Sequence, residues 1–308
     1  MHRLFAGILL TLAMLAPAYA DGAPPRFFFM GNGTLRLEDA HNGARVQARF
    51  RRADGSYDAD ALARLTHFLR SRGDDREGDV SLRLIEQLDY LEDWAKPRHL
   101  RLASGYRSPD YNSAIRAQGG KAASASLHTQ GLAADVQFIG VNQRQLWQRI
   151  RKLNCCGVGF YKDGNFLHVD VGPPRFWEQA TSKVDQNLSG GNARIFARTD
   201  FDRYEQFRGA TLQLYSITAF PLRVAATAQV VDGNRRTAVH LAPEGEVKAD
   251  GDCLVIAEPG RSLLRVADAD LMPAGRRVHV HLTTCEPRIE RTPEEFVTNE
   301  IEVAKAAK

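Results

Sequence analysis

Two histidines and two aspartates carry most of the chemistry open to this chain. They fall in Ser126-Leu-His128-Thr-Gln-Gly131-Leu-Ala133-Ala-Asp135 and in Phe166-Leu-His168-Val-Asp170-Val-Gly172-Pro173. Two imidazoles and a carboxylate are the donor set of a catalytic zinc, which takes three protein ligands and keeps a fourth position open for water. Asp135 lies among Ala133, Ala134, Val136 and Phe138, where a carboxylate is costly to bury without a partner. Gly131 and Ala133 leave room for the preceding chain to fold close, so that His128 can return toward that acid. His168 and Asp170 alternate with Leu167, Val169 and Val171, which puts both polar side chains on one strand face and the apolar ones on the other. Taken singly, each residue is equally a loop histidine or a solvated strand-end acid. Taken together, in one stretch closed by Gly and Pro, they favour a zinc hydrolase over structural histidines.

The elements that must position these groups follow from the hydrophobic pattern. Phe27–Phe29, Thr34–Leu37 and Ala44–Phe50 read as short strands, with turns at Gly31-Asn32-Gly33 and His41-Asn42-Gly43. Helices are expected over about Ala59–Arg70 and Ser81–Trp94, each with leucines along one face, the second stopped by Pro97. A strand over His99–Ala103 and a short helix opening at Ser108-Pro109 come next, then a small-residue loop to Ala125. Beyond it the pattern predicts a strand over Ala133–Phe138, a helix over Gln143–Leu153, and strands Gly157–Tyr161 and Phe166–Val171 around a Lys162-Asp163-Gly164 hairpin turn. The sum is an α+β domain on an antiparallel sheet. Asn187–Asn192 is polar and Gly-rich, as a linker would be. Strand-like segments then recur at Leu212–Ile217, Leu222–Val231, Thr237–Leu241, Cys253–Ala257, Leu263–Val266 and Arg277–Thr283, predicting an all-β, sandwich-like C-terminal domain. Residues after Pro287 read as a charged tail with a short helix.

His2-Arg3, the apolar run Leu4–Leu15 and Ala18-Tyr19-Ala20 have the form of a secretory signal cut near residue 20. That run is too short to span a bilayer, and no other segment is apolar enough to do so. The expected organisation is a leader over 1–20, a catalytic domain over 21–185, a linker over 186–199 and a β-rich domain over 200–308. The mature chain is expected to be secreted, and periplasmic in a Gram-negative cell. A net charge of +4 without a basic, aromatic-interleaved stripe argues against nucleic acid and leaves an anionic polymer such as the cell wall. Export permits disulfides. Cys253–Cys285 is the preferred bridge, whereas the adjacent Cys155 and Cys156 read as two partly buried thiols opening a strand. No CxxC pattern is present to suggest a zinc ribbon.

Read together, these residues resemble zinc peptidases of the M15 type, the D-Ala-D-Ala carboxypeptidase and murein endopeptidase group that shares its core with Hedgehog signalling domains. The resemblance is nearest to the DUF882, MepK-like branch. Ser126 to Asp135 completes the motif SxHxxGxAxD, and Ser104-Gly105-Tyr106-Arg107-Ser108-Pro109 matches the SGYRSP block. Gly157-Val-Gly-Phe-Tyr161 through Pro173, with Arg175 and Trp177, matches the second block. The resemblance covers about residues 30–180. It implies a Hedgehog/DD-peptidase-like fold with zinc held by His128, Asp135 and His168, acting on peptidoglycan stem peptides. It also implies that Arg107 binds the acyl or carboxylate side of the substrate and stabilises developing negative charge. Tyr106 and Ser126 would lie against the substrate, and Asp170 would be the general base or would orient a ligand. Other M15 branches carry an acid three positions before the last histidine ligand, or a His-x-His pair. Here those positions hold Asn165 and Asp170, so the ligand and base roles of His168 and Asp170 can be exchanged, with imidazole the commoner zinc donor.

Two function classes therefore stand side by side. One is a secreted zinc peptidase cutting stem-peptide or cross-link amide bonds. The other is a catalytically weak or inactive wall-binding module, with the C-terminal region as a surface for a protein or wall partner. Ala117–Ala125 and Lys162–Asn165 are the loops expected to shape the pocket. Ser126 has no neighbouring base to make it a nucleophile, and His279-Val-His281 reads as a solvated sheet face.

Overall fold

The computed structural model of the chain describes residues 25–119, 122–123, 125–182, 195–216, 221–269, 272–288 and 292–304. The expected leader and the Asn187–Asn192 stretch lie outside these residues, whereas Ile195–Thr199, the end of the linker expected over 186–199, is strand. A first, seven-stranded sheet is built from β1 (Thr34–Asp39), β2 (Arg45–Arg49), β3 (Leu100–Ser104), β4 (Ala133–Phe138), β5 (Gly157–Tyr161), β6 (Phe166–Asp170) and β7 (Arg175–Glu178), in the order β2-β1-β3-β4-β6-β5-β7. The expectation of an antiparallel sheet needs correcting. β1 with β3 and β5 with β7 run parallel: the chain passes through β2 and two helices between the first pair, and returns through β6 between the second. The sheet is mixed.

Four α-helices accompany it: α1 (Ala59–Phe68), α2 (Leu82–Ala95), α3 (Pro109–Ala117) and α4 (Gln143–Leu153). Their ends follow local chemistry. Asp58, Ser108 and Asn142 accept hydrogen bonds from backbone N–H groups in the first turns of α1, α3 and α4, replacing partners that a helix start lacks. Pro109 occupies the first turn of α3, where no N–H is needed. α2 packs against β1 and β4 through Leu84, Ile85, Leu88 and Leu91, all buried in the first core. Each such side chain contributes roughly 1.5–3 kcal/mol of burial. No helix among the described residues is long and apolar enough to cross a membrane.

The C-terminal part holds strands and no helix among its described residues: β8 (Ile195–Thr199), β9 (Arg203–Tyr204), β10 (Thr211–Ser216), β11 (Leu222–Ala225), β12 (Thr227–Asp232), β13 (Arg235–Glu244), β14 (Lys248–Asp250), β15 (Cys253–Ile256), β16 (Gly260–Asp268), β17 (Arg277–Thr283), β18 (Glu295–Val297) and β19 (Ile301–Val303). Nine form one sheet, and β11-β15-β14 form a smaller one over a shared core. The single strand expected over Leu222–Val231 is two, one in each sheet. Ala226 is the crossing point, its N–H donating to Asp252 O and its carbonyl accepting from Leu241 N–H. The tail after Pro287 forms β18 and β19 rather than a helix. Phe27–Phe29 is not a strand, because its backbone bonds run elsewhere: Phe28 N–H donates to the Asp202 carboxylate at 2.9 Å. Cys253 is joined to Cys285, the pairing expected. Cys155 is joined to Cys156, where two thiols were expected. The chain bends after the left-handed Asn154, and the strand begins only at Gly157.

One helix face buries charge. Asp89 accepts from Gly33 N–H at 2.8 Å, and burial, reinforced by Asp93 and Glu86, pushes its carboxyl up to about 7. Its folded pKa thus exceeds its unfolded one, so its contribution is intact below about pH 4 and is lost as pH rises toward about 7. Relative to Asp89→Asn, unfolding free energy should fall by up to ~1.4 kcal/mol per pH unit across that window and run parallel above it. Urea melts at a series of pH values read this out, and curves parallel throughout the window would refute the assignment.

Candidate metal centre

Strand pairing alone brings two donors together. β4 and β6 are antiparallel neighbours in a register that sets Asp135 directly opposite His168. The third group, His128, sits in a short 3-10 turn, Leu127–Gln130, ended by Gly131 in the left-handed region at φ 65°. A Cβ at Gly131 would lie 2.1 Å from the Asp79 carbonyl oxygen, so only glycine allows this approach. Ser81 N–H donates to Gly131 O at 2.9 Å, which ties the turn to the start of α2.

His128 Nδ1 lies 2.7 Å from the Gly105 carbonyl. A carbonyl only accepts, so Nδ1 carries the hydrogen and Nε2 is left with its lone pair. His168 Nε2 lies 3.0 Å from Asp170 Oδ2, which by the same reasoning leaves Nδ1 as the free donor atom. The two lone-pair nitrogens are 3.2 Å apart, and Asp135 Oδ1 is 3.0 Å from His168 Nδ1 and 3.3 Å from His128 Nε2. Bonds of ~2.0–2.1 Å to a tetrahedral zinc would separate neighbouring donor atoms by about 3.3 Å. The residues fit such an ion: three acceptor atoms converge at the right spacing on a point where only positive charge satisfies them. Among the described residues this is the one group of metal-donor side chains so arranged.

The electrostatics agree. Burial first, and then Arg107, hold His128 below the ordinary imidazole range, which keeps it neutral. Burial would raise Asp135, but the two imidazoles beside it and the hydrogen bond from Arg107 leave it well below the usual carboxylate range. Burial opposes charge on His168 too, yet Asp135 and Asp170 together raise it.

The supporting groups are as closely built. Asp170 is fully buried. Its Oδ2 accepts from Arg175 Nη2 at 2.7 Å and its Oδ1 from Gly172 N–H at 2.8 Å. Burial is overcome by Arg175 and His168, which bring its carboxyl down to about 2. Opposite it on β5 stands Gly157, where a Cβ would come within 2.2 Å of Asp170 Oδ2. Arg107 serves twice: its N–H donates to His128 O at 3.1 Å and its Nη2 to Asp135 Oδ2 at 2.6 Å.

A cavity of about 530 Å³ opens over the donors, lined also by Arg107, Ser126, Tyr161, Asp163, Arg175 and Trp177. Trp177 is tilted against His168 with ring centroids 5.2 Å apart, and its Nε1 donates to Tyr161 OH at 3.2 Å. Of the residues expected beside the substrate, Ser126 and Arg107 line the cavity. Tyr106 does not, because its ring lies over Gly78. Asp170 does not line it either, since both its oxygens are engaged behind His168. Asn165 is also absent from the lining; it adopts φ 47° in the hairpin turn, a conformation asparagine tolerates. Ala123, Asp163 and Gly164, from the two loops expected to shape the pocket, are present. Gln179, which donates to Asp163 Oδ2 at 2.6 Å, had no spacing signal that could have marked it. His279 and His281 bond to Thr298 O and Glu295 respectively.

A family model described as Peptidoglycan L,D-endopeptidase MepK matches residues 30–177. Peptidoglycan L,D-endopeptidase MepK of Escherichia coli strain K12 is 34% identical over 173 residues, 56% of this chain and 92% of that protein, and the Shigella flexneri protein of the same name matches equally. The probable peptidoglycan L,D-endopeptidase MepK of Haemophilus influenzae is 28% identical over 146 residues, 47% of this chain and 78% of the relative. The chain belongs to this family of M15-type, MepK-like proteins. No solved structure gives a significant match. The family match ends at residue 177, before β8 begins at Ile195.

Gly157→Ala should displace the Asp170 carboxylate and loosen His168, lowering zinc affinity by ~10–100-fold, as loss of a ligand's supporting partner typically does. Competition titration against a zinc chelator checks this, and unchanged affinity in a folded variant would remove Asp170 from the centre.

Proposed function

We propose that the chain is an exported, zinc-dependent peptidase that hydrolyses an amide bond in peptidoglycan stem peptides or their cross-links. The L,D-endopeptidase reaction in its relatives' names is the first to test. One observation carries the proposal: His128 Nε2, Asp135 Oδ1 and His168 Nδ1 stand 3.0–3.3 Å from one another beneath an open cavity. When bound, zinc supplies a Lewis acid for the scissile carbonyl and lowers the pKa of a water at its open position to ~7.

The chain's own residues divide the remaining work. Arg107 fixes Asp135 and borders the cavity, where its guanidinium suits a substrate carboxylate or the negative charge that develops on the carbonyl oxygen. Asp170 orients His168 and holds the Nε2 proton, so orientation rather than general-base catalysis is the role its surroundings favour. His168, and not Asp170, contributes the third donor atom. Trp177 and Tyr161 form an aromatic wall against which a peptide can lie. Leader, export and periplasmic residence belong to the same proposal and rest on the sequence of residues 1–20. A wall-binding module without turnover would use the same cavity. It is favoured only by Asn165 standing where other M15 branches carry an acid.

Purified protein incubated with cross-linked muropeptides should release new stem-peptide fragments, read by mass spectrometry, when zinc is present. Chelator should abolish the products and zinc restore them, and His128→Ala or Asp135→Ala should give none. Turnover indifferent to chelator would overturn the zinc assignment. Zinc-loaded protein that retains muropeptides without cleaving them would establish the binding module.

A further inference from the structure

The face of the second sheet that meets the first carries a charge that is incompletely hydrogen-bonded among the described residues. In the β8–β10 pairing Phe196 stands opposite Tyr215, and Arg198 opposite Gln213. Phe196 and Tyr215 stack at 4.9 Å between centroids and belong to the core of the first sheet. Ala197, Leu212 and Leu214, on the other face, belong to the core of the second. Arg198 therefore lies in the seam between the two cores. It is 8% exposed, and its Nε and Nη2 have no hydrogen-bond partner among the described residues.

The acids around it are committed to other groups. Asp202 gives Oδ1 to Arg83 and Asn299 and Oδ2 to Phe28 N–H. Asp170 is held by Arg175, His168 and Gly172. Burial first, then Arg83, push the Arg198 guanidinium down to about 10 against the pull of Asp202 and Asp170. A buried guanidinium whose neighbouring acids are bound to other groups is unfavourable unless something further anionic joins it.

A cavity of about 220 Å³ lies beside it, lined also by Ser81, Arg83, Thr199, Gln213 and Tyr215. The Ser81 hydroxyl caps no backbone group of α2. Tyr215 OH donates to Gln213 Oε1 at 2.6 Å, leaving the Gln213 amide nitrogen as the end able to donate further. The two acids bordering the cavity are engaged, Asp79 by Arg261 and Asp200 by the Tyr204 hydroxyl. No residue lines both this cavity and the one over the metal donors, and β8 and β10 lie beyond the family match.

We propose that this cavity is a binding site for a small oxyanion, a carboxylate or phosphate group, held chiefly by Arg198 with Gln213 and Ser81. It is independent of the peptidase proposal, because neither the residues nor the readout involve the metal centre. Thermal melts of the purified protein at constant pH and ionic strength, in sodium chloride, acetate or phosphate, test it. Acetate or phosphate should raise the melting temperature with concentration while chloride does not, as expected when a ligand binds only the folded state. A response to acetate alone marks a peptide or amino-acid carboxylate as the class, and one to phosphate alone marks a phosphate group. The response should persist in His128→Ala, where the metal centre cannot hold the anion.

Arg198→Met removes the charge and keeps the apolar stem, and Gln213→Glu sets a carboxylate directly across the strand pair. Both should melt at or above the anion-free wild type and lose the anion response. If Arg198→Met does not fold, Gln213→Glu carries the test. Equal melting in all three salts, or a wild-type response retained in Gln213→Glu, would overturn the site and leave an adventitious ion only. Melting of both variants well below the wild type would show that the guanidinium is already satisfied within the protein.

Discussion

The antiparallel pairing of β4 with β6 is the constraint on which the rest of the centre depends. It sets Asp135 across from His168 and Ala133 across from Asp170, so one ladder supplies two donors and the group that orients one of them. Side chains alternate along each strand, so the face bearing these polar groups is opposed by Ala134, Val136, Leu167 and Val169, all inside the core. A slip of one residue would turn the donors inward and the core outward. The hydrophobic effect that holds the sheet together therefore also fixes where the charges stand.

What surrounds the pairing consists largely of space kept clear. Gly157 makes room for Asp170, Gly159 for Trp177, and Gly131 for the carbonyl of Asp79. Arg107 links the SGYRSP block to both sides of the centre through one backbone and one side-chain bond. The proposed chemistry asks for three neutral or anionic donors close together in a poorly solvated place. Arg107 and Arg175, each paired with a carboxylate, are what make that density of negative charge tolerable.

Much of this was legible from residues alone, and the exceptions share a cause. β4, α4, β5 and β17 run where the periodicity put them, because each is a regular element bounded by turn or cap residues. The donor residues announced themselves as polar groups inside apolar runs. Periodicity does not encode partners, however, so it could not separate parallel from antiparallel neighbours in the first sheet. Nor could it see that Ala226 passes between two sheets, or that Phe27–Phe29 bonds to a residue far along the chain. The SGYRSP block alone suggests Tyr106 as a substrate residue, whereas its N–H bonds to Leu69 O and its ring lies over Gly78. Asn165 looked like a missing acid and is a residue suited to a left-handed turn. Gln179 and the seam around Arg198 depend on tertiary approach, which local spacing does not report.

The aromatic segment at the start of the described chain is held by residues that follow it by more than 170 positions. Arg26 O accepts from both Asp202 N–H and Arg203 N–H, Arg203 Nη1 donates to Phe27 O at 2.9 Å, and the Phe27 ring packs edge-on against Phe201. During synthesis, Phe27 emerges roughly 170 residues before its partners, a delay of about 10–30 s at ordinary elongation rates. Until β8 and β9 arrive it is an uncovered greasy strip beside α2. A chain cut short behind β7 would leave the Phe27 ring without Phe201 and its carbonyl without Arg203.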